Sequence, residues 1–257
     1  MVNPLGAVAA SAGAAASRGA KPVHALAASV RRVRVLHRGG QTYMAHAQVH
    51  TRDRRLLAVA ARLEGAAIVR LSAALWRRRE WPDLLGLGIR FFGRTGARCH
   101  EQPVQDLVLA SANGLLAVPG AFLRTDVHDF LANSYHGLGR VAVDGLGPAR
   151  VRARWRTPSP AGADRVDRLT AAVAEDLAES LVELQPQGSQ EWLPFLAVEL
   201  RLPAPLEADE LRLSPFNDRG GLRPLGLRQA LRFAPRDTAD FADTRTTPPH
   251  TSTGAPR

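Results

Sequence analysis

The segment 150–156 alternates strictly, and this alternation narrows the choice of fold more than any other feature of the chain. Val151, Ala153 and Trp155 occupy one set of alternate positions, and arginines occupy the other set. In a β-strand, a two-residue period places one set of side chains on a buried face and the other on a solvated face. The segment therefore predicts a half-buried strand of an antiparallel sheet.

Further segments predict more strands, namely 42–49, 66–72, 86–92, 104–110, 140–143 and 195–202. Residues 42–49 alternate loosely, whereas 66–72, 86–92 and 104–110 are apolar runs typical of strands that are buried on both faces. The segments 140–143 and 150–156 are expected to form a hairpin across the turn at 144–147. Together these strands and the helices between them predict an α+β protein built on an antiparallel barrel or sandwich.

Two segments carry helical signals. Apolar residues at spacings of three and four predict a helix over 164–184, with its carboxylates, including Glu179 and Glu183, on a solvated face. Pro224 is expected to open a short helix over 225–233, because proline is well tolerated in a first helical turn.

The domain organisation follows from length and composition. A chain of 257 residues can bury a sizeable core without help from disulfides or metals, and the single cysteine, Cys99, cannot form an internal disulfide. The Ala/Gly-rich segment 1–21 and the Thr/Pro-rich segment 244–257 are expected to be disordered, which leaves one domain over 22–243. The sequence has no run of about 18 apolar residues that would span a membrane, and its start lacks the basic region of a secretory signal. A cytoplasmic protein is therefore expected.

The net charge of +10 allows two interpretations. A basic surface attracts nucleic acids or anionic lipids. Here, however, Lys21 is the only lysine among 34 basic residues, and the arginines are scattered along the chain. This usage is typical of a GC-rich genome, so we predict no nucleic-acid partner.

Several segments resemble catalase motifs, in the order in which that family carries them. Residues 34–40 resemble the distal motif of an arginine, two apolar residues, a histidine and a later glycine, and a predicted strand follows. Residues 68–72 resemble the Val-Arg-Phe-Ser strand, and 105–108 resemble Trp-Asp-Leu-Val. Segments 82–91, 192–195, 213–217 and 223–227 resemble further pieces of the small catalase-like proteins. The resemblance implies a catalase-like closed antiparallel β-barrel with helices packed around it, which houses a haem in functional members.

The resemblance also implies roles for individual residues. His37 falls on the distal histidine, which takes a proton from peroxide and returns it to the leaving oxygen, and Ser72 falls on the serine that supports this histidine. Arg34 and Arg70 match arginines that hold haem b, and Arg232 in the expected C-terminal helix is a further candidate for this role. A second interpretation stays open, in which His37 has only a structural role and the arginines lie on the surface or form ordinary ion pairs.

Two departures from the catalase pattern decide the functional prediction. Ala110 stands where the family has a peroxide-orienting asparagine, and no tyrosine stands where the family has the axial iron ligand. Tyr43 and Tyr135 are the only tyrosines, and neither aligns with that position. The sequence therefore predicts a divergent catalase-like protein without efficient catalase activity. It is expected to act on peroxide as a haem-binding weak peroxidase, with His37 as its acid-base group.

The main alternative is a haem-free barrel that binds, or hydrolyses, an apolar ligand with an anionic head such as a phosphodiester. A scaffold without a small-molecule site is a third candidate. His128 and Asp129 have no second ligand pair at metal-site spacing, so no metal site is predicted. A monomer or a homodimer is expected.

Overall fold

The computed structural model describes residues 40–76, 79–94, 103–114, 117–205, 211 and 213–225. Ten β-strands and three α-helices follow one another within these residues. In chain order they are β1 (Gly40–Val49), α1 (Arg54–Leu63), β2 (Gly65–Ala73), β3 (Leu85–Gly93), β4 (Gln105–Ala110), α2 (Val118–Arg124), β5 (Ser134–Gly137), β6 (Val141–Val143), β7 (Gly147–Trp155), α3 (Arg165–Ala174), β8 (Glu179–Pro186), β9 (Leu193–Pro203) and β10 (Leu222–Pro224).

Eight of these strands close into an antiparallel barrel. Their order around the barrel is β1, β2, β3, β4, β5, β7, β8 and β9, and β9 pairs again with β1. The short strand β6 pairs with the start of β7, and β10 pairs with β6, so these two strands form a flap beside the barrel. This architecture confirms the predicted α+β class and the closed catalase-like barrel.

Apolar side chains fill the interior of the barrel. Strand alternation directs one set of side chains inward, and residues opposite each other, such as Tyr43, Val69 and Ile89, meet in the main hydrophobic core. Large side chains such as Phe91 and Tyr135 are fully buried there. Burying one large apolar side chain contributes roughly 1.5–3 kcal/mol, so this packed interior is a main source of stability.

Two of the helices add buried faces to the same core. α1 begins after Asp53, whose carboxylate accepts a hydrogen bond from the Arg55 backbone N–H and so caps the helix. Its buried residues, at helical spacing, are Leu56, Val59, Ala60 and Leu63. Asp164 caps α3 in the same way through the N–H groups of residues 166 and 167. The sequence patterns do not predict α1, α2 or β5.

The helix predicted over 164–184 is wrong in its second half. α3 ends at Ala174, and the chain then turns through Asp176, which has a φ of 56°. Residues 179–186 form β8, which pairs with β7 on one side and β9 on the other. Leu181 and Leu184 have helical spacing, but pairing with two neighbouring strands outweighs this local preference. Glu183 is consequently buried in the barrel wall and does not lie on a solvated helix face.

The other expectations have mixed outcomes. Every predicted strand is present, with ends that differ by up to three residues. Pro224 ends β10, and residues 226–233 of the expected helix lie outside the described part of the chain, so that helix remains a prediction. Segments 1–21 and 244–257 also lie outside it, so the domain limits remain a prediction. No helix in the described residues is long and apolar enough to cross a membrane.

Candidate functional site

Arg70 and Ser72 lie together on the outer face of β2. Val69 and Leu71 belong to the barrel core, so the alternation of the strand turns residues 70 and 72 outward. His37, Arg34 and Arg232 lie outside the described residues, so the structure does not place them. The two described members of the predicted site thus share one surface of the barrel.

Small residues surround Ser72 on this outer face. Ser72 lies opposite Gly40 on β1 and Gly86 on β3, and Gly86 lies opposite Ala110 on β4. Because glycine and alanine carry little or no side chain, the outer wall beside Ser72 carries only small side chains. Ser72, Gly86 and Ala110 are nevertheless buried, so other parts of the chain cover this row.

The neighbouring row of the outer face is covered by the chain itself. Arg70 lies opposite Gly88, and a Cβ atom at Gly88 would overlap Cδ1 of Leu213. The Leu213 side chain therefore rests directly on this glycine. The next residue, Ser214, donates its backbone N–H to Asp106 Oδ2 over 2.8 Å. The segment 213–217 thus occupies the outer wall beside Arg70.

A buried ion pair holds that segment in place. Arg90 Nε and Nη2 donate to the two carboxylate oxygens of Asp106 over 2.9 and 2.8 Å. The Asp106 side chain is fully buried, and such bidentate charged bonds are among the stronger hydrogen bonds in proteins. The resemblance to catalase motifs does not predict this ion pair, because the only signal for the pair is two opposite charges at outward positions of adjacent strands. That signal appears only when the strand register is known.

A small cavity adjoins Ser72 at the start of β1. Its volume is about 20 Å³, and Gly40, Ser72, Phe130 and Arg165 are among its lining residues. Arg165 is 2% exposed, and its guanidinium donates to the Val127 carbonyl over 3.2 Å. A cavity of this size holds about one water molecule. It is far too small for a haem.

The same guanidinium lies near a buried carboxylate. Burial raises the pKa of Asp83, while N–H groups of the backbone, that of Trp76 first among them, and the charge of Arg165 act in the opposite direction. The Asp83 oxygens accept bonds of 2.7–3.0 Å from the N–H groups of Leu75, Trp76 and Leu84. These contacts fix the loop that follows β2, so we assign Asp83 and Arg165 structural roles.

Both tyrosines of the sequence belong to the barrel interior. The Tyr135 hydroxyl donates to the Phe130 carbonyl over 2.8 Å, and burial raises the pKa of Tyr135 well above its ordinary value. Burial also raises the pKa of Tyr43. An axial tyrosinate must be ionised, and burial without a compensating charge disfavours the ionised form.

These positions do not fit a tyrosinate-bound haem. The interior is filled by side chains, so a haem held by Arg70 and Ser72 would lie against the outer wall. Tyr43 and Tyr135 both lie on the other side of that wall. Since the described side chains fill the barrel interior, the apolar ligand of the alternative hypothesis would also have to lie against the outer wall, and this alternative is not favoured.

Two of the described histidines, His136 and His128, contact aromatic or charged side chains. His136 is half-buried, and its ring lies 6.4 Å from that of Trp192, over which the Arg152 guanidinium stacks at 4.1 Å. Burial, and then the arginines of β7, lower the pKa of His136. His128 Nδ1 lies 2.5 Å from Glu80 Oε2. Among the described residues, no three metal-ligating side chains cluster together.

The geometry defines a class of fold, the closed eight-stranded barrel of the catalase type. Among solved structures, catalase A from Saccharomyces cerevisiae matches with a TM-score of 0.50 and 9% identity, over 77% of this chain and 58% of that chain. A fungal catalase matches with a TM-score of 0.49 and 10% identity, over 77% of this chain and 57% of that chain. The chain thus spans less than two thirds of the length of these catalases.

No family profile matches the sequence, and neither does any curated protein. Likeness to the yeast catalase at 9% identity shows the catalase-like fold alone.

Proposed function

We propose that this protein is a divergent catalase-like barrel that does not break down peroxide with the efficiency of a catalase. The observation that carries the proposal is the position of the two tyrosines, Tyr43 and Tyr135, inside the packed barrel. A catalase-type iron receives electron density from an axial tyrosinate, and neither phenol reaches the outer wall where Arg70 lies.

Two further observations support the proposal. Ala110, at the position of the peroxide-orienting asparagine, has no polar atom in its side chain and lies two strands from Ser72, with Gly86 between them. Leu213 lies on Gly88, where a planar group beside Arg70 would need a free surface. The assignments of His37 and Ser72 as catalytic residues, and of Arg34, Arg70 and Arg232 as haem-binding residues, remain predictions.

The test is reconstitution with haem. The full chain, produced with a haem precursor, is examined by absorption spectroscopy and by oxygen release from peroxide. We expect less than stoichiometric haem, and oxygen release no faster than that of the same amount of free haem. The variants Tyr43→Phe and Tyr135→Phe should behave like the parent protein, because neither hydroxyl contacts an iron.

One result would overturn the proposal. It is a stoichiometric Soret band together with rapid oxygen release that His37→Ala abolishes. If Tyr43→Phe or Tyr135→Phe also removed the band, the barrel interior would have to open in solution.

A further inference from the structure

A polar groove lies away from Ser72, where the start of β7 meets the end of β8 and the turn after it. Its volume is about 230 Å³. The polar side chains that line it are Arg140, Arg150, Gln185, Gln187, Ser189 and Gln190. No carboxylate is among the described residues that line it. The groove therefore offers mostly hydrogen-bond donors and positive charge.

The two arginines of the groove differ from their neighbours on β7. The Nε atoms of Arg152 and Arg154 lie 2.7 and 3.1 Å from Oε2 of the buried carboxylate Glu183. Arg140 and Arg150, by contrast, form no salt bridge with any residue that the structure describes, and both are exposed. The Glu183 carboxylate thus partly neutralises the arginines beside the groove, while the two arginines of the groove keep their positive charge unpaired among the described residues.

The positive charge of this face also affects the pKa of a neighbouring histidine, His136. His136 lies opposite Arg152, on the strand beside β7. Burial contributes most to the lowered pKa of His136, and Arg152 and then Arg150 contribute the rest. A cationic histidine is thus disfavoured near Arg150, as expected where positive charge is concentrated.

The chemistry of the lining residues points to one class of ligand. Guanidinium groups bind phosphate oxygens with paired hydrogen bonds, and amides and hydroxyls contact hydroxyl groups of a polar molecule. The groove is larger than a phosphate needs, since one water takes up roughly 30 Å³ in the liquid, yet it is smaller than most drug-sized sites.

The turn after β8 borders open space. Gly188 has a φ of 83°, and no atom lies within 4 Å of the position where its Cβ would be. We propose that the groove binds a small phosphate monoester. Arg140 and Arg150 contact the phosphoryl oxygens, while the glutamine amides and Ser189 contact the polar remainder.

The experiment measures the binding of glycerol 3-phosphate to the full chain by calorimetry at constant ionic strength. The test variant combines Arg140→Gln with Arg150→Gln. The control combines Arg52→Gln with Arg124→Gln, which removes the same charge from exposed arginines outside the groove. We expect the control to bind within about twofold of the parent, and the test variant to bind at least about tenfold more weakly, because it loses charged hydrogen bonds.

Three outcomes would overturn the proposal. Equal weakening in both double variants would mean that net charge alone attracts the anion. An absence of binding heat, with no protection against thermal unfolding, would mean that the groove is not a site. Inorganic phosphate that binds as tightly as glycerol 3-phosphate would show that the polar remainder of an ester is not recognised.

Discussion

Asp106 joins the segment 213–217 to the barrel wall. Its carboxylate accepts hydrogen bonds from Arg90 and from the N–H of Ser214, and its backbone N–H donates to the Asn217 carbonyl over 2.9 Å. The preceding residue, Gln105, uses its side-chain amide to bond Asn217 and Leu222. Two adjacent residues of β4 thus hold the segment that covers Gly88.

We predict that Asp106→Asn lowers the free energy of unfolding by about 3–5 kcal/mol, because it removes the buried carboxylate charge that pairs with the Arg90 guanidinium. Urea denaturation measures the loss. The control is Glu199→Gln, which removes the 3.2 Å contact with the half-exposed Arg201 and should cost less than about 1 kcal/mol. Similar losses in the two variants would show that the buried pair contributes no more than a surface pair.

His136 makes the stability of the fold depend on pH. Burial and the arginines of β7 hold its pKa in the folded state below the value of 6.5 that the unfolded chain has. Between these two pKa values the unfolded state binds more protons, so stability is full above about pH 6.5 and falls as the pH drops below it. In urea titrations over this range, the parent should lose more stability than His136→Gln. Parallel pH profiles would contradict the assignment.

At the residue scale, the sequence predicts which residues belong to the candidate site better than it predicts which side chains contact each other. The motif comparison points to Arg70 and Ser72, and the structure places both on one outer face. It does not point to the pairing of Arg90 with Asp106, or to the buried position of Arg165, since these contacts depend on how distant strands and loops align.

The change from α3 to β8 is the main feature at the scale of elements. The backbone turns at Asp176, and Leu177 donates its N–H to the Ala172 carbonyl over 2.8 Å. Helical spacing continues past this turn, whereas the pairing of β8 with β7 and β9 depends on contacts far along the chain. Strands with strict alternation, such as β7, were predictable because alternation directly reflects burial.

We predict that Asp176→Gly is more stable than Asp176→Ala by about 1 kcal/mol, because a φ of 56° strains any residue with a Cβ atom. Thermal or urea unfolding measures the difference. The same pair of substitutions at Asp167, inside α3, should give the opposite order by about 0.5–1 kcal/mol. An alanine as stable as glycine at position 176 would show that the turn is not left-handed in solution.

At the scale of the whole molecule, the fold class and the closed barrel were predictable from ordered motifs, but the site was only partly so. The sequence contains two tyrosines, and no local pattern shows that both point into the barrel. Likewise, the covering of Gly88 by Leu213 joins residues more than a hundred positions apart. Such facts follow from the packing of the complete chain.

Closure of the barrel also limits how copies of the folded chain can associate through strand edges. Each of its eight strands pairs with a neighbour on both sides, so the closed barrel has no edge strand, although β4 and β5 share only two residue pairs. In the described part of the chain, an open sheet edge remains at β10, which is three residues long and ends in Pro224, a residue without a backbone donor. The folded protein therefore offers few unpaired backbone groups to which a strand of another copy could add.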